Sequence, residues 1–478
     1  MRHQISWAVT VLSLAGGSAG AAEIPLPPGA PSSETVAGGR ELFTMNFARP
    51  ATERYAGGLG RNGNGVGPLF NETSCAACHS QGGAGGAGDL AHNVQLAGIV
   101  TEPLPRGTVP QILAQARKVH PAFDDDSPIV FVQRFSTGDR ETVEAYDKWR
   151  DELLASFDGP ENPILPRRRQ QNGVVIELVE RNTPALWGMG EIEKLRASGG
   201  DAIRRRLADE ITSRKPWITG RPPVTADGED GWYGWRGQVA SLDRIVRGAC
   251  ASEMGIQVAG APEAVSPVAL KRRPGRGAMR ESNAVDLTEE QVVSLTSFVS
   301  DLPRPVRRVS SSMTDRAHAG ERLFNEIGCA DCHVPDLGSV KGMYSDQLLH
   351  DMGEATRDVQ AVAPMVRENV PVRVPVSRPV GGYGASASLT TIVNTSVVIP
   401  TRRSMEWKTP PLWGVRDSYP YFHDGRAATL RDAIEMHGGE SERSAAEFRG
   451  LNGDQQQAVM TFLESLAAPP AEGDVALR

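Results

Sequence analysis

The sequence predicts a mainly α-helical protein built from two related halves, the first carrying a small β-containing insertion. Three observations support this. Leu-Phe-Asn-Glu followed by Cys-Ala-X-Cys-His occurs twice, from Leu69 to His79 and from Leu323 to His333. Residues 287–302 align without a gap with residues 451–466, and both stretches place Phe and Leu at helical spacing. The 51 glycines and 34 prolines indicate many loops between the helices.

The N-terminus has the pattern of a secretory signal. Arg2 gives a basic start, an apolar run follows, and small residues continue to Ala21 and Ala22. This pattern predicts a signal peptide over residues 1–21 that is cleaved on export. The apolar run of about ten residues is too short to cross a bilayer. We therefore expect a periplasmic protein without a membrane span.

Each Cys-X-X-Cys-His run is the attachment signature of c-type haem. The two cysteines would bind the haem vinyl groups, and the histidine would bind iron from one side. Disulfides or a zinc site would account for the cysteine pairs, but not for a histidine after each pair. We therefore predict two covalently bound haem c groups. The predicted residues are Cys75, Cys78 and His79 in the first motif, and Cys329, Cys332 and His333 in the second.

The duplication extends beyond the cysteine motifs. Residues 182–188 read Asn-Thr-Pro-Ala-Leu-Trp-Gly, and residues 408–414 read Lys-Thr-Pro-Pro-Leu-Trp-Gly. A further match aligns residues 235–242 with residues 423–430. Repeats in the same order predict that the two halves share one architecture.

The repeats and the cysteine motifs together predict two cytochrome c-like helical domains in tandem. We expect the first over residues 35–303, a linker over 304–314 and the second over 315–468. Ile129 to Val132 and Val174 to Val179 have the composition of short strands, which places the β-containing insertion in the first domain.

Charge argues against a nucleic-acid partner. The formal net charge is −7, from 51 basic and 58 acidic side chains. The basic clusters at residues 167–169 and 204–206 are short and isolated, which is typical of a solvated surface.

The order of motifs resembles the bacterial di-haem cytochrome c peroxidase and MauG superfamily, and more closely its di-haem oxidoreductase branch. The most specific residues are 421–426, Tyr-Phe-His-Asp-Gly-Arg, and 437–440, His-Gly-Gly-Glu. The resemblance implies a periplasmic oxidoreductase with peroxidase-like activity and hydrogen peroxide as substrate. It also implies electron transfer between the C-terminal and N-terminal haems. The partner would be a small redox protein that donates electrons or a protein that is oxidised. An electron-transfer protein without substrate chemistry and a MauG-like protein-modifying oxidase remain alternatives.

The resemblance also implies a distal ligand and a relay residue. His437 lies fourteen residues after His423 and takes the position of the distal ligand of the C-terminal haem, with Met436 as the alternative. Trp235 takes the position of a tryptophan that lies between the haems in this superfamily. Its indole would carry an electron from one haem to the other.

A glutamate of the superfamily handles the peroxide proton, and Glu253 in Glu-Met-Gly takes its position. A carboxylate there can accept the proton and return it to the leaving oxygen. The glutamine that accompanies this glutamate in the peroxidases is replaced here by Ile245.

The resemblance further implies a calcium ion between the domains, at positions held here by Asn182, Ser418 and Pro420. The distal position of the N-terminal haem remains open between His92, His350 and no ligand. Cys250 is the odd cysteine, and it either lines the pocket near Glu253 or is an inert core thiol.

Overall fold

The computed structural model describes most of the chain outside its two ends. The described residues are 31–48, 65–100, 109–123, 129–160, 162, 164–171, 174–225, 227–261, 264–268, 285–358, 365–379, 386–400 and 405–470. The predicted signal peptide lies outside them.

The protein is mainly α-helical, with small antiparallel sheets. Its helices are α1 (Ser33–Thr44), α2 (Cys75–Cys78), α3 (Val109–Ala116), α4 (Arg140–Ala155), α5 (Met189–Ala197), α6 (Gly200–Arg214), α7 (Leu242–Met254), α8 (Glu289–Asp301), α9 (Thr314–Glu326), α10 (Leu430–Glu435), α11 (Glu442–Gly450) and α12 (Gly453–Ser465). Its strands are β1 (Leu69–Phe70), β2 (Val94–Ile99), β3 (Ile129–Val132), β4 (Phe135–Ser136), β5 (Arg167–Gln171), β6 (Val174–Arg181), β7 (Val306–Arg307), β8 (Leu349–Asp351), β9 (Met365–Pro379), β10 (Ser386–Pro400), β11 (Glu406–Lys408) and β12 (Leu466–Ala467).

The same helix pair occurs in both halves of the chain. Helix α1 packs on α8, and α9 packs on α12. A glycine lies at each contact: a Cβ atom on Gly39 would lie 2.0 Å from the carbonyl oxygen of Ser294. On Gly320 it would lie 1.9 Å from that of Ala458. Only glycine lets the two backbones approach this closely.

Helices α8 and α12 are the two amphipathic segments that the sequence predicts. Each begins with a capping box, formed by Thr288 with Gln291 in α8 and by Asn452 with Gln455 in α12. The reciprocal side-chain and backbone hydrogen bonds satisfy amide groups that the first turn leaves unpaired. The matched caps explain why the two helices start at equivalent positions of the repeat.

The β-containing insertion forms the largest described sheet, with the strand order β3-β2-β6-β5. Strand β3 has the predicted bounds, and β6 extends the second predicted strand to Arg181. One face of this sheet packs on α3 and α4 around Phe123, Leu153 and Ile176. The insertion therefore has an apolar core of its own.

Reciprocal packing joins the first half to the second. A Cβ atom on Gly188 would lie 2.5 Å from the ring of Trp413, and one on Gly414 would lie 2.8 Å from the ring of Trp187. These four residues belong to the aligned repeats 182–188 and 408–414. In each half, therefore, the glycine of the repeat packs against the tryptophan ring of the other half.

Reciprocal backbone hydrogen bonds accompany this packing. The amide of Asn182 donates to the carbonyl oxygen of His423 at 2.8 Å, and the amide of Lys408 donates to that of Trp235 at 3.1 Å. Trp235 and His423 are aligned in the repeat, as are Asn182 and Lys408. Equivalent segments of the two halves thus face each other.

Two further features lie in the second half. Strands β9 and β10 pair along fifteen residues each as a long antiparallel hairpin. Strand β7, inside the predicted linker, pairs with β12 at the end of the second half. In the described part of the chain, none of the helices has the length and apolar character needed to cross a membrane.

Candidate functional site

The second cysteine motif forms one wall of a cavity. A 3₁₀ turn over Cys329–Asp331 follows Gly328, whose φ of 87° permits the sharp entry. The Nδ1 atom of His333 lies 2.9 Å from the carbonyl oxygen of Tyr344. A carbonyl only accepts, so Nδ1 must carry the proton. The Nε2 atom is then left with a free lone pair for a metal.

His437 faces His333 across this cavity. The two ring centroids are 6.5 Å apart, and Nδ1 of His437 lies 2.6 Å from the carbonyl oxygen of Ala433. Metal–imidazole bonds of about 2 Å on each side would separate two such rings by roughly 6 Å. The spacing therefore fits one metal between two Nε2 atoms. Met436 has 42% of its surface exposed and does not line the cavity, which favours His437.

The rest of the cavity suits a flat apolar ring system. Desolvation lowers the pKa of His333 to about 4 and also lowers the pKa of His437, so both imidazoles are neutral and able to bind a metal. Apolar side chains dominate the wall: Phe324, Leu412, Val415, Tyr421, Leu430, Ile434 and Leu463. The cysteines of the motif, Cys329 and Cys332, also line it.

The first cysteine motif repeats the attachment side of this arrangement. Nδ1 of His79 lies 3.1 Å from the carbonyl oxygen of Pro184 and 3.3 Å from that of Gly86. Desolvation lowers the pKa of His79 to about 4. The ring of Phe43 lies 6.4 Å from His79, as Phe324 lies 6.3 Å from His333. Both motifs thus hold a neutral histidine with Nε2 available.

All five cysteines are free thiols, so the paired cysteines do not form disulfides. Burial raises the pKa of Cys78 and of Cys329 to about 12. Cys250 is 2% exposed within the core of the first half, and burial raises its pKa to about 12. This environment favours the inert-thiol interpretation of Cys250.

Glu253 lies at the end of α7, against the first cysteine motif. The side-chain amide of Asn71 donates to Oε2 of Glu253 at 2.7 Å, and the backbone amide of Asn71 donates to its carbonyl oxygen at 2.6 Å. Desolvation raises the pKa of Glu253 to about 7, and its charge helps to raise the pKa of the Cys78 thiol. The carboxyl group can therefore exchange a proton near neutral pH.

The insertion contributes to this pocket, a role that sequence reasoning missed. The side chain of Gln133 donates to the carbonyl oxygen of Ser252 at 3.3 Å, and the amide of Arg134 donates to Oδ1 of Asn71 at 3.1 Å. The positive charge of Arg134 also lowers the pKa of Glu253. Ile245, in contrast, packs against the core of the first half.

Trp235 lines the cavity at the junction of the two halves. Its indole Nε1 donates to the carbonyl oxygen of Asn182 at 3.1 Å, which fixes the ring. A second aromatic residue, Trp407, was not predicted. It stacks on His423 at 3.5 Å, and the guanidinium of Arg236 lies 4.0 Å from its ring. The signal in the sequence that could have identified Trp407 is its position directly before the repeat segment 408–414.

Asn182, Ser418 and Pro420, the predicted calcium positions, lie together along the cavity wall. The side-chain amide of Asn182 donates to the carbonyl oxygen of Gly88 at 3.0 Å, and the hydroxyl of Ser418 donates to the carbonyl oxygen of Gly414 at 2.9 Å. Both side chains therefore have protein partners. Calcium binding stays a prediction.

The two histidines considered for the N-terminal haem differ in their surroundings. His350 lies beside Cys332 of the second motif and has both ring nitrogens bonded to carboxylates, so it is not a candidate for the first motif. Nδ1 of His92 lies 2.8 Å from Asp89, and its Nε2 lies 3.8 Å from Glu72. His92 or no ligand remains for that haem.

Comparison with known proteins bears on the second half most directly. The family described as "Di-haem oxidoreductase, putative peroxidase" matches residues 401–466, which include His423 and His437. The chain is 27% identical to hydrazine synthase subunit gamma of Kuenenia stuttgartiensis over 183 residues, 36% of this chain and 49% of that protein. It is 24% identical to cytochrome-c peroxidase IdrP2 of Denitromonas iodatirespirans over 192 residues, 38% of this chain and 47% of that protein.

Over residues 401–466 the chain is similar to the di-haem oxidoreductase family, and it is similar in part to a cytochrome-c peroxidase, which supports the predicted resemblance to the di-haem peroxidases. The chain spans about half the length of the curated relatives it matches, 49% and 47%. Among solved structures, Kuenenia stuttgartiensis hydrazine synthase has a TM-score of 0.30 at 19% identity and covers 60% of this chain and 72% of that chain. A MauG-like protein associated with microbial copper homeostasis has a TM-score of 0.24 at 15% identity, covering 51% of this chain and 76% of that chain.

The cysteine and histidine donors of the two motifs fit haem, and at the second motif an apolar cavity accompanies them. Neutral histidines, paired thiols and an apolar cavity are the groups that a covalently attached haem requires. In the second half a further histidine, His437, would supply a second donor. In the first half a titratable carboxyl lies close to the motif instead.

Proposed function

We propose that the protein is a periplasmic di-haem c-type oxidoreductase with peroxidase-like activity, built from two cytochrome c-like domains in tandem. The observation that carries this proposal is Glu253, a carboxyl group with a pKa raised to about 7 beside the first cysteine motif. An electron carrier has no need of a titrating carboxyl group at one of its haems. A peroxide-handling site does need one.

The two motifs take different roles. Haem, when bound, supplies the redox and peroxide chemistry at its iron. Cys75, Cys78 and His79 would hold one haem, which we assign to peroxide. Cys329, Cys332, His333 and His437 would hold the other haem, which we assign to electron entry. Two imidazoles favour a lower haem potential than a His/Met pair, which suits an electron donor.

Glu253 moves the proton. Its carboxylate accepts the proton of peroxide and returns it to the leaving oxygen, and Asn71 holds the carboxyl group in place through its 2.7 Å hydrogen bond. The positive charge of Arg134 lowers the pKa of this group, which keeps part of it ionised at neutral pH. Such groups typically contribute about 10²- to 10⁴-fold to a rate.

Trp235 carries electrons between the halves. Its hydrogen bond to Asn182 and the amide of Lys408 on its carbonyl oxygen fix it where the two halves meet. A small redox protein supplies the electrons at the second half. Replacing Trp235 by Phe should leave the reaction with peroxide intact but stop oxidising equivalents from being shared between the haems.

Spectroscopy of the haem-loaded protein tests the proposal. We expect one low-spin haem and one haem that turns over peroxide, in electron paramagnetic resonance and absorption spectra of the oxidised and half-reduced protein. Two unreactive low-spin haems would replace the proposal with an electron-transfer protein. Turnover with a small reduced cytochrome supports a peroxidase, whereas a covalent change in a protein partner would indicate a MauG-like oxidase.

A further inference from the structure

The turn that follows His437 rests directly on strand β8. A Cβ atom on Gly439 would lie 2.2 Å from the carbonyl oxygen of Asp351, and one on Gly353 would lie 2.9 Å from the amide of Gly439. The hydroxyl of Ser441 also lies 3.8 Å from the sulfur of Met352. The 3₁₀ turn Gly439–Ser441 therefore fits β8 closely at the backbone level.

One side chain of this turn fastens it to β8. Oε2 of Glu440 lies 2.8 Å from Nδ1 of His350, and Nε2 of His350 lies 2.9 Å from Oδ2 of Asp346. The side chains of His350, Asp346 and Glu440 are 2%, 0% and 8% exposed. An imidazole bonded to two buried carboxylates holds both in fixed positions, because neither can turn to water.

The same carboxylate reaches the first half of the chain. The amide of Thr219 donates to Oε2 of Glu440 at 3.0 Å, and its hydroxyl donates to Oε1 at 2.6 Å. Two residues later, Arg221 exchanges backbone hydrogen bonds with Leu349 of β8. Thr219, Asp346, His350 and Glu440 thus form one connected set, which we call the Glu440 network.

We propose that Glu440 is a positioning residue: through Thr219 and His350 it holds His437 against the cavity of the second motif. His437 is three residues before Glu440, and the turn between them contains Gly438 and Gly439. Two glycines give this segment little stiffness of its own. The hydrogen bonds of Glu440 to Thr219 and His350 therefore determine how firmly His437 is held in position. The inference rests on the proposed function, in which His437 is an iron ligand.

Two residues of the Glu440 network, Asp346 and His350, could instead belong to a metal site together with Cys332. The chemistry of these groups disfavours that alternative. Cys332, Asp346 and His350 have donor atoms within 4.8 Å of one another, the sole such group in the part of the chain that the structure describes. Cys332 belongs to the attachment motif, however, so in the haem-loaded protein its sulfur would be a thioether. A thioether is a weak donor for a metal ion bound by carboxylate and imidazole groups. Both nitrogens of His350 already have carboxylate partners.

Ligand exchange in the haem-loaded protein tests the proposal. Cyanide added to the ferric protein must displace His437, so its binding rate at the C-terminal haem reports how firmly that ligand is held. We expect Glu440→Ala to accelerate this phase about tenfold or more, since it removes three hydrogen bonds to a charged group. Thr219→Val removes one of them and should accelerate the phase by a smaller factor.

Three controls separate positioning from general damage. Glu442→Ala removes a side chain that is 59% exposed and paired with Arg449, and it should leave the rate unchanged. The spectrum and cyanide phase of the N-terminal haem should stay as in the parent. In a His437→Ala background, Glu440→Ala should add nothing, because the two changes act through one ligand.

The outcomes distinguish this inference from the proposed function. If His437→Ala makes the C-terminal haem high-spin but Glu440→Ala and Thr219→Val exchange cyanide at the parental rate, the positioning role is wrong and the ligand assignment stands. If His437→Ala leaves that haem low-spin, the ligand assignment is wrong and the positioning role falls with it. A change of equal size at both haems in Glu440→Ala would also overturn the proposal.

Discussion

The two cysteine motifs have the same surroundings at their histidines and differ in the other groups that lie near them. In each, a phenylalanine ring lies just over 6 Å from the histidine, and the histidine Nδ1 meets a backbone carbonyl. Across the cavity, the second motif has His437. The carboxyl group described near the first motif is Glu253, which is half-buried. The repeat therefore preserves the groups around the motif histidine, and the further groups described beside the two motifs differ.

The Leu-Phe-Asn-Glu segment shows how the difference arises. Asn71 is 3% exposed and bonds to Glu253, whereas its counterpart Asn325 bonds at the surface to the carbonyl oxygen of Glu321. The first segment also receives Arg134 from the insertion. The same sequence motif thus bonds to the carboxyl group of Glu253 in one half and lies on a helix surface in the other.

Removing the cysteines one motif at a time should produce the largest effect. We expect Cys75→Ala/Cys78→Ala to lose one covalent haem and Cys329→Ala/Cys332→Ala to lose the other, because each pair forms the thioethers of its own site. Mass spectrometry of protein exported with the maturation apparatus would show two haems in the parent and one in each variant. A mass that shows fewer than two haems in the parent would contradict the prediction that both motifs attach haem.

Glu253→Gln should impair the chemistry at the first motif and leave the second motif unchanged. The amide keeps a hydrogen-bonding group beside Asn71 but cannot exchange the proton, so reaction with peroxide should fall about 10²- to 10⁴-fold. Stopped-flow absorption measures the rate, and the low-spin spectrum of the second haem should not change. Glu191→Gln, at a surface position paired with Lys194, is the matched control. A parental rate in Glu253→Gln would favour the electron-carrier alternative.

The attachment side was predictable from the sequence because it is encoded locally. Cys-X-X-Cys-His fixes the spacing of thiols and histidine within one turn, and the capped helices α8 and α12 carry their own start signals. Trp235 and His437 came from alignment of repeats and superfamily positions. Their roles stay predictions, and their places along one cavity wall support them.

The surroundings of Glu253 could not be predicted, since they come from distant segments. Asn71 is 182 residues away in sequence, and Arg134 belongs to the insertion of the first half. The surroundings of His350, one of the alternatives left open for the N-terminal haem, also come from distant segments. Its partner Glu440 lies 90 residues away, and only the folded chain shows that both its nitrogens are engaged.

The pH dependence should sharpen the assignment of Glu253. Desolvation raises its pKa to about 7, and only the ionised form accepts a proton. The rate of reaction with peroxide should therefore rise about tenfold per pH unit below that value and level off above it. The measurement is the stopped-flow rate across pH 5 to 9 at constant ionic strength, roughly two units on either side of the pKa. A profile that is flat, or that falls with pH, would assign the proton to another group.

The helix contacts provide the smallest and most symmetric test. Gly39→Ala and Gly320→Ala each place a Cβ atom within 2.0 Å of a carbonyl oxygen on the facing helix, so the helices must move apart. Overpacking of this kind costs about 1–3 kcal/mol, and each kcal/mol lowers Tm by roughly 2–4 °C in domains of this size.

Calorimetry should give similar losses for the two variants if the halves share one architecture. Each substitution should perturb the absorption of the haem in its own half, because α1 carries Phe43 against His79 and α9 carries Phe324 against His333. Gly248→Ala is the control: it lies inside α7 with open space around its Cβ position. That change should raise stability slightly, by about 0.5–1 kcal/mol. Unequal losses, or a spectral change in the opposite half, would show that the two helix pairs support their haems differently.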